Sequence, residues 1–564
     1  MKPHSSAPRA AQLLPVALLL LGSPLAAHAA APAPDAGSLL NQIQPVLPPA
    51  PSPSGTGLSI DRGNGAATPA SAPFLVKTLV ISGNEKIPTA ALHALVADAE
   101  GKTLTVADLE RLTDRITDYY QTHGYPLARA IIPAQSIHDG AVQIQVIEAR
   151  YGKVKLRNQS RVADPLLQAT LAPLQGGQVI AGSPLDHSLL LLSDIPGVAV
   201  SATLQPGDTV GSSDLLVATN AGPAVTGTVA ADNYGNHYTG SARLGGTVNF
   251  IDPLHHGDSL SVSGLSSGAD MNYGRVDYQA VLNGAGTSLG GAYSALSYRL
   301  GDTLGRLDSH GSAGVASLWT KQPLVRSRDF NLYGQLQFDH LELHDDIGAS
   351  AIRTDRRLDN GTLNLLGDAR DEFLGGGIDT WNFGFTAGHL GFEDASAQLA
   401  DAHSARTAGD FSKWNVSFAR LQHVSASDTV YLALSGQKAQ GNLDSAEKMT
   451  LGGPYTVRAY EMGALSGDTG FLATLELRHS LFAAAGSQWQ AIAFIDSAHI
   501  TVNQSTWVPG SNNATLSGAG AGLDWTGPYR WHARISIATP IGPTPQLVGS
   551  TTSTRVWGEI GKSF

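Results

Sequence analysis

The chain has 564 residues, enough for several domains, and no Cys, which excludes a disulfide framework and thiol catalysis. A formal charge of −11 at pH 7 excludes the basic footprint expected of a nucleic-acid-binding protein. Charged residues are only 15% of the chain while the hydrophobic share is an ordinary 42%, and this mixture suits strands with one face in lipid and the other in water.

The first residues read as a secretory signal peptide spanning 1–29. Lys2 and Arg9 form a basic start, residues 13–21 a short apolar core interrupted by Pro15, and Ala27-His28-Ala29 a small-residue cleavage site. The core is too short to cross a bilayer, and no later stretch reaches about 18 continuous apolar residues. Any membrane span must therefore be a closed β-barrel, because lipid offers no partner for unpaired backbone groups.

Residues 30–73 have linker composition, rich in Pro, Ala, Ser and Gly. One island differs: Leu39, Leu40 and Ile43 share a face at helical spacing. Globular patterning begins at Phe74. Residues 74–82 read as a strand, 89–99 as a helix, and Thr105 with Asp108 opens a second helix carrying Leu109, Leu112, Ile116, Tyr119 and Tyr120. Strands follow at 128–132 and 142–147, giving a β-α-α-β-β unit over 74–149. The order repeats over 150–220, with strands at 152–156, 198–204 and 214–217 and helices at 165–174 and 184–192.

After Thr226 the helical signal gives way to alternation with period two. Val276, Tyr278 and Leu282 oppose Arg275, Asp277 and Gln279; Phe330, Leu332, Leu336 and Phe338 oppose Asn331, Tyr333, Gln335 and Gln337. Residues 221–564 accordingly read as an all-β transmembrane barrel. At about 9–11 residues per spanning strand, and with even strand numbers, 16 strands fit. Phe564 ends a final amphipathic strand.

Four segments invite a chemical reading. His255-His256, Asp339-His340 and His344-Asp345-Asp346 could suggest a metal site, but solvated polar loops or turns explain them more simply. Gly518-Ala519-Gly520-Ala521-Gly522 lacks the Lys-Ser/Thr and the helix of a phosphate loop; small residues that let another element approach the barrel wall explain it better. No catalytic constellation, metal site or cofactor is expected.

The chain resembles the transporters of two-partner secretion, of the haemolysin-activator and filamentous-haemagglutinin-exporter type. Ile195-Pro196-Gly197, Leu204-Gln205-Pro206-Gly207 and Ser213-Asp214-Leu215 are similar to the end of that family's second polypeptide-transport-associated (POTRA) domain. Asp232-Asn233-Tyr234-Gly235, Arg243, Asp252-Pro253-Leu254 and Gly257-Asp258 are similar to its first barrel hairpin. Val457-Arg458-Ala459-Tyr460 resembles the tip of its long sixth loop, with Ala459 where the family has Gly; a positive φ there would cost about 1 kcal/mol. Phe494-Ile495-Asp496 resembles its barrel-wall motif.

The resemblance implies α+β periplasmic POTRA domains at 74–149 and 150–220 followed by the 16-stranded barrel in the outer membrane. It implies export of a large, unfolded secreted partner protein, with no enzymatic activity, no cofactor and no nucleic acid, by a monomer embedded in outer-membrane lipid. Arg458 and Asp496 would lock the loop tip, with Val457, Tyr460 and Phe494 beside them, and Leu39, Leu40 and Ile43 would belong to a plug helix. The alternative from the same superfamily is an outer-membrane protein assembly factor.

Overall fold

A computed structural model describes residues 33–43, 58–60, 72–268, 270–484, 486–549 and 554–564. The expected signal peptide at 1–29 and most of the linker expected at 30–73 lie outside the described residues.

In the first unit, strand Thr78–Ser82 runs parallel to Ala141–Ile147, which pairs antiparallel with Arg129–Ile131. A small extra ladder, Phe74–Val76 with Lys102–Leu104, stands beside it. Helix Val106–Thr122 starts at Thr105, whose side chain accepts the Asp108 N–H while the Asp108 carboxylate accepts from the Thr105 backbone. Its face of Leu109, Leu112, Ile116 and Tyr120 is buried against Val142, Ile144 and Val146, a burial worth roughly 1.5–3 kcal/mol per large side chain. The Tyr120 hydroxyl donates to Glu148 at 2.8 Å, and the same carboxylate oxygen accepts the N–H groups of Glu85 and Lys86. Burial, then this carboxylate, pushes the Tyr120 phenol well above its ordinary value.

In the second unit the sheet runs in the order Leu58–Ile60, Val198–Pro206, Ser212–Ala221, Arg150–Gln159, with helices Asp164–Leu171 and Gly182–Asp194 on it. The first of these strands corrects the reading of residues 58–60 as linker. Three residues are too few to show a period, and their extended form is set by the edge they pair with. The unit sits on the near end of the barrel. Asp194 accepts two hydrogen bonds from Arg326, at 2.7 and 2.8 Å, and Asp186 accepts one from Arg328 at 2.6 Å. Gly284, in a barrel turn, lies so close to the Ala169 carbonyl that a Cβ there would overlap it.

Among the described residues, 16 antiparallel strands close the barrel, from Val225–Asp232 to Arg555–Ser563. The two ends pair directly, Thr228 with Ser563 through Asp232 with Glu559, and Gly227 exchanges both backbone hydrogen bonds with Phe564. Val276, Leu336 and Val416 point outward, while Gln335 and Gln337 form a side-chain chain with Asp339 along the lumenal face. Strands as long as the 20 residues of Ile352–Asp371 exceed what a bilayer needs, so the wall continues beyond the membrane. That continuation corrects a second expectation. Asp339, His340, His344, Asp345 and Asp346 belong to strand Phe330–Ile347 and not to a loop, and His340 and His344 pair across the ladder with Asp359 and Asp355.

The two faces make opposite demands. Leu336→Arg should place a charge in lipid at a cost of about 2–4 kcal/mol, whereas Gln335→Arg faces the lumen. We expect Leu336→Arg to lower the amount of heat-modifiable, folded barrel in the outer membrane and Gln335→Arg to leave it unchanged. Equal yields from both would contradict the assigned register.

Candidate functional site inside the barrel

Between strands Asp428–Ala439 and Thr469–Ala484 the chain folds into the lumen. A short hairpin, Met449–Leu451 with Leu465–Gly467, forms its stem. Gly452 and Gly453 turn the chain with φ of 95° and 104°, a conformation that costs a side chain energy and a glycine little. The tip is tied by Gly453 N–H to the Tyr460 carbonyl and Tyr460 N–H to the Val457 carbonyl. Val457, Ala459 and Tyr460 are completely buried among Phe494, Ala498, Ile500 and Leu516. Ala459 is not in the left-handed region, so the expected penalty for replacing Gly does not arise.

The tip carries Arg458 to the wall. Its guanidinium donates to both oxygens of Asp496, from Nε at 2.8 Å and Nη2 at 2.7 Å, and the Arg458 N–H donates to the same carboxylate. This fork matches carboxylate geometry in a way that Lys could not reproduce. Nη1 donates to Glu476 at 2.6 Å, and Arg478 donates to the other Glu476 oxygen. The guanidinium lies over the Phe494 ring, 3.4 Å from its centroid. Asp496 also accepts from Thr474, and Trp557 Nε1–H donates to the Arg458 carbonyl at 2.7 Å. Arg458, Asp496, Val457, Tyr460 and Phe494 thus form one cluster. Sequence reading missed Glu476, Arg478, Thr474 and Trp557; the signal available for Glu476 was its shared face with Thr474 and Arg478 on the adjacent strand.

The Gly-rich stretch opposite makes room for the tip. A Cβ on Gly518 would overlap the Ala459 methyl, and one on Gly520 would overlap the Phe494 ring.

A second cluster holds helix Ala36–Ile43, which contains Leu39, Leu40 and Ile43. Asp35 and Ser38 cap it reciprocally, each side chain accepting the other's backbone N–H at 2.9 Å. Leu39 and Leu40 are buried against wall residues including Leu296, Tyr298, Leu343 and Leu358, with Ile43 packed alongside. Arg356 on the wall is the hub at the N-terminus, reaching Asp35 at 3.1 Å, Asp444 at 2.6 Å and Asp345 at 2.5 Å. Asp345 also accepts the Ala36 N–H, so the helix N-terminus supplies part of the missing positive charge. Asp444 and Ser445 belong to the same inserted segment as Arg458. Gly37 lies against Ser445 and Ala446 with no space for a side chain. No sequence spacing links residues 35, 345, 356 and 444, and this cluster was not foreseen.

Comparison with known proteins gives a consistent setting. Residues 74–149 match the POTRA domain, ShlB-type, and residues 211–525 match the family described as haemolysin secretion/activation protein ShlB/FhaC/HecB. The heme/hemopexin transporter protein HuxB of Haemophilus influenzae is 26% identical over 486 residues, 85% of each chain. The outer membrane transporter CdiB of Escherichia coli is 29% identical over 471 residues, 80% of this chain and 76% of that one. The solved structure of CdiB from Escherichia coli superposes with a TM-score of 0.69 at 23% identity, covering 89% of this chain and 93% of that one. BamA from Haemophilus ducreyi reaches 0.50 at 15% identity, covering 87% and 100%.

Removing one partner of a buried, hydrogen-bonded ion pair costs roughly 3–5 kcal/mol. Arg458→Ala should therefore free the loop tip, seen as new protease cleavage within residues 452–464 of the assembled barrel. Asp496→Ala should have a smaller effect, because Glu476 still engages the guanidinium. The double variant should be no worse than Arg458→Ala alone, since Arg458→Ala already deletes the interaction that Asp496→Ala removes. Strictly additive cleavage rates would show that the two side chains act independently. For the helix, Arg356→Ala removes its charge anchor and Gly37→Leu its close packing. Both should raise single-channel conductance in a planar bilayer, by unrelated physical routes, and unchanged conductance in both would separate this helix from any blocking of the lumen.

Proposed function

The chain belongs to the ShlB/FhaC/HecB family of haemolysin secretion/activation proteins, and from that premise we propose that it exports one large secreted partner protein across the outer membrane, with its lumenal loop and helix as the parts that move. The family match and the HuxB and CdiB relatives favour export over barrel assembly as its activity. The observation that carries the mechanistic reading is the double occupancy of the lumen: a loop tip tied to the wall through Arg458 and a helix tied through Arg356.

The partner reaches the periplasm unfolded, where no ATP is present. The two periplasmic units offer strand edges on which an extended chain gains main-chain hydrogen bonds with little demand on its sequence. The lumen is lined by hydrogen-bonded polar side chains, which suit a passing polypeptide backbone. Folding outside the cell prevents return and supplies direction. Within this reading Arg458 and Asp496 lock the loop tip, and Leu39, Leu40 and Ile43 seat the plug helix. In this reading the chain acts as a monomer in outer-membrane lipid and performs no covalent chemistry.

The test is reconstitution. We expect a large secreted protein encoded in the neighbouring gene to reach the medium of a Gram-negative host only when this chain is co-expressed, and the absence of any such neighbour would itself count against export. Retention of that partner in the periplasm, together with defects in other barrel proteins when the chain is deleted from its own host, would overturn export in favour of an assembly role.

A further inference from the structure

Strands Trp531–Pro540 and Arg555–Ser563 stand beside the joint where the wall closes. Ser536, Ala538 and Trp557 are buried toward the lumen, whereas Ile535, Ile537, Val556 and Ile560 stand exposed on the lipid side. On that outer side the register aligns one row across five strands: Trp489 with Trp525, Trp525 with Ala533, Ala533 with Ile560, and Ile560 with Ala231. The row is uneven, because Ala533 and Ala231 are small beside Trp525 and Ile560. In the next row Gly558 is small beside Ile535. The result is a groove of about 530 Å³ in the lipid-facing wall. It is open above Gly558, where a Cβ would meet no atom within 4 Å.

Two features at one end of the groove suit a lipid headgroup. The periplasmic end of the wall is the end on which the second unit sits, and Trp489, Trp525 and Trp531 stand at that end of three consecutive strands. Indole rings favour this depth, the boundary between membrane and water. Lys562 lies two residues beyond Ile560 on the same outer face and pairs across the ladders with Trp531 and Val229. Its amine is 5.5 Å from the centre of the Trp531 ring, and among the described residues no carboxylate forms an ion pair with it. A lysine on the outside of a barrel lays its apolar stem along the wall and carries its charge to the boundary, where the anions it meets are lipid phosphates.

We propose that this groove binds an acyl chain of one glycerophospholipid of the periplasmic leaflet, with the lipid phosphate held by Lys562. The groove is apolar and faces the membrane, and its cation stands at the end where that leaflet places its phosphates. Lipopolysaccharide of the opposite leaflet would bring its phosphates to the other end. The site also crosses the closing ladder, Thr228–Asp232 with Glu559–Ser563, which is shorter than the ladders on either side of it. A bound chain covers Ile560 and Ala231, one from each end of the sheet, and so holds the two ends under one ligand. The inference needs the barrel's place in the membrane and is independent of the export reading.

The test is a titration of the full-length protein, folded in detergent and freed of lipid, with dioleoyl phosphatidylglycerol, followed by native mass spectrometry. One lipid should bind tightly ahead of a weak, unsaturable remainder. Lys562→Ala should weaken the tight event at least about tenfold, and Lys562→Arg should preserve it. Dioleoylglycerol, with the same chains and no phosphate, should also bind at least about tenfold more weakly. Gly558→Leu and Ala533→Leu fill the groove and keep the cation, and each should abolish the tight event. Val276→Leu, on the outer face elsewhere, should leave it unchanged. Heat-modifiable mobility confirms that each variant compared is a folded barrel. Equal affinity in Lys562→Ala and wild type, tight binding by the folded groove-filling variants, or an equal loss in Val276→Leu would overturn the proposal. Displacement of the lipid by sodium phosphate alone would assign Lys562 to a free anion and overturn it as well.

Discussion

Lipid supplies no hydrogen-bond partner, and that single constraint organises this molecule. Every backbone group of the membrane-embedded wall must be paired within the wall, so Val225–Asp232 has to meet Arg555–Ser563 and the sheet has to close. Closure with 16 strands leaves an interior that side chains of the wall alone do not fill. The inserted loop and the helix at 36–43 are the consequence, because a wide lumen must be either filled or wet.

The two fillings are held by different electrostatics. Around Arg458 the charges balance: Arg458 and Arg478 face Asp496 and Glu476. Around Arg356 they do not: one guanidinium faces Asp35, Asp345 and Asp444, and the excess acid is offset only by helix N-terminal N–H groups and neighbouring hydroxyls. In either cluster, removing one member leaves a buried charge without its partner, which is the costly change. Asp444 and Ser445 sit on the same inserted segment as Arg458, so the helix and the loop tip share one support.

Much of this was legible in the sequence where a local period or cap writes the structure directly. The helix Val106–Thr122 announced itself through Thr105, Asp108 and a 3.6-residue apolar face, and the barrel through alternation such as Val276 and Tyr278 against Arg275, Asp277 and Gln279. Arg458 and Asp496 were found because a resemblance joined two motifs that lie 38 residues apart. What escaped has no local signature. Glu476 alternates like any lumenal polar residue, and its partnership with Arg458 depends on the register of Thr469–Ala484 beside Ser487–Thr501. The Arg356 hub gathers residues more than 400 positions apart. Leu58–Ile60 is a strand only because another strand's edge makes it one.

The contact between Ala459 and Gly518 ties the sizes of two distant residues together. The loop tip has its methyl group because the wall has none, so neither position is free to vary alone: a bulkier residue on either side must be met by a smaller one opposite or by a shift of the tip. The depth to which the loop tip inserts is therefore set by a single methyl group, and the Thr539 carbonyl, close to where a Gly518 side chain would begin, leaves the wall little freedom to supply that methyl instead.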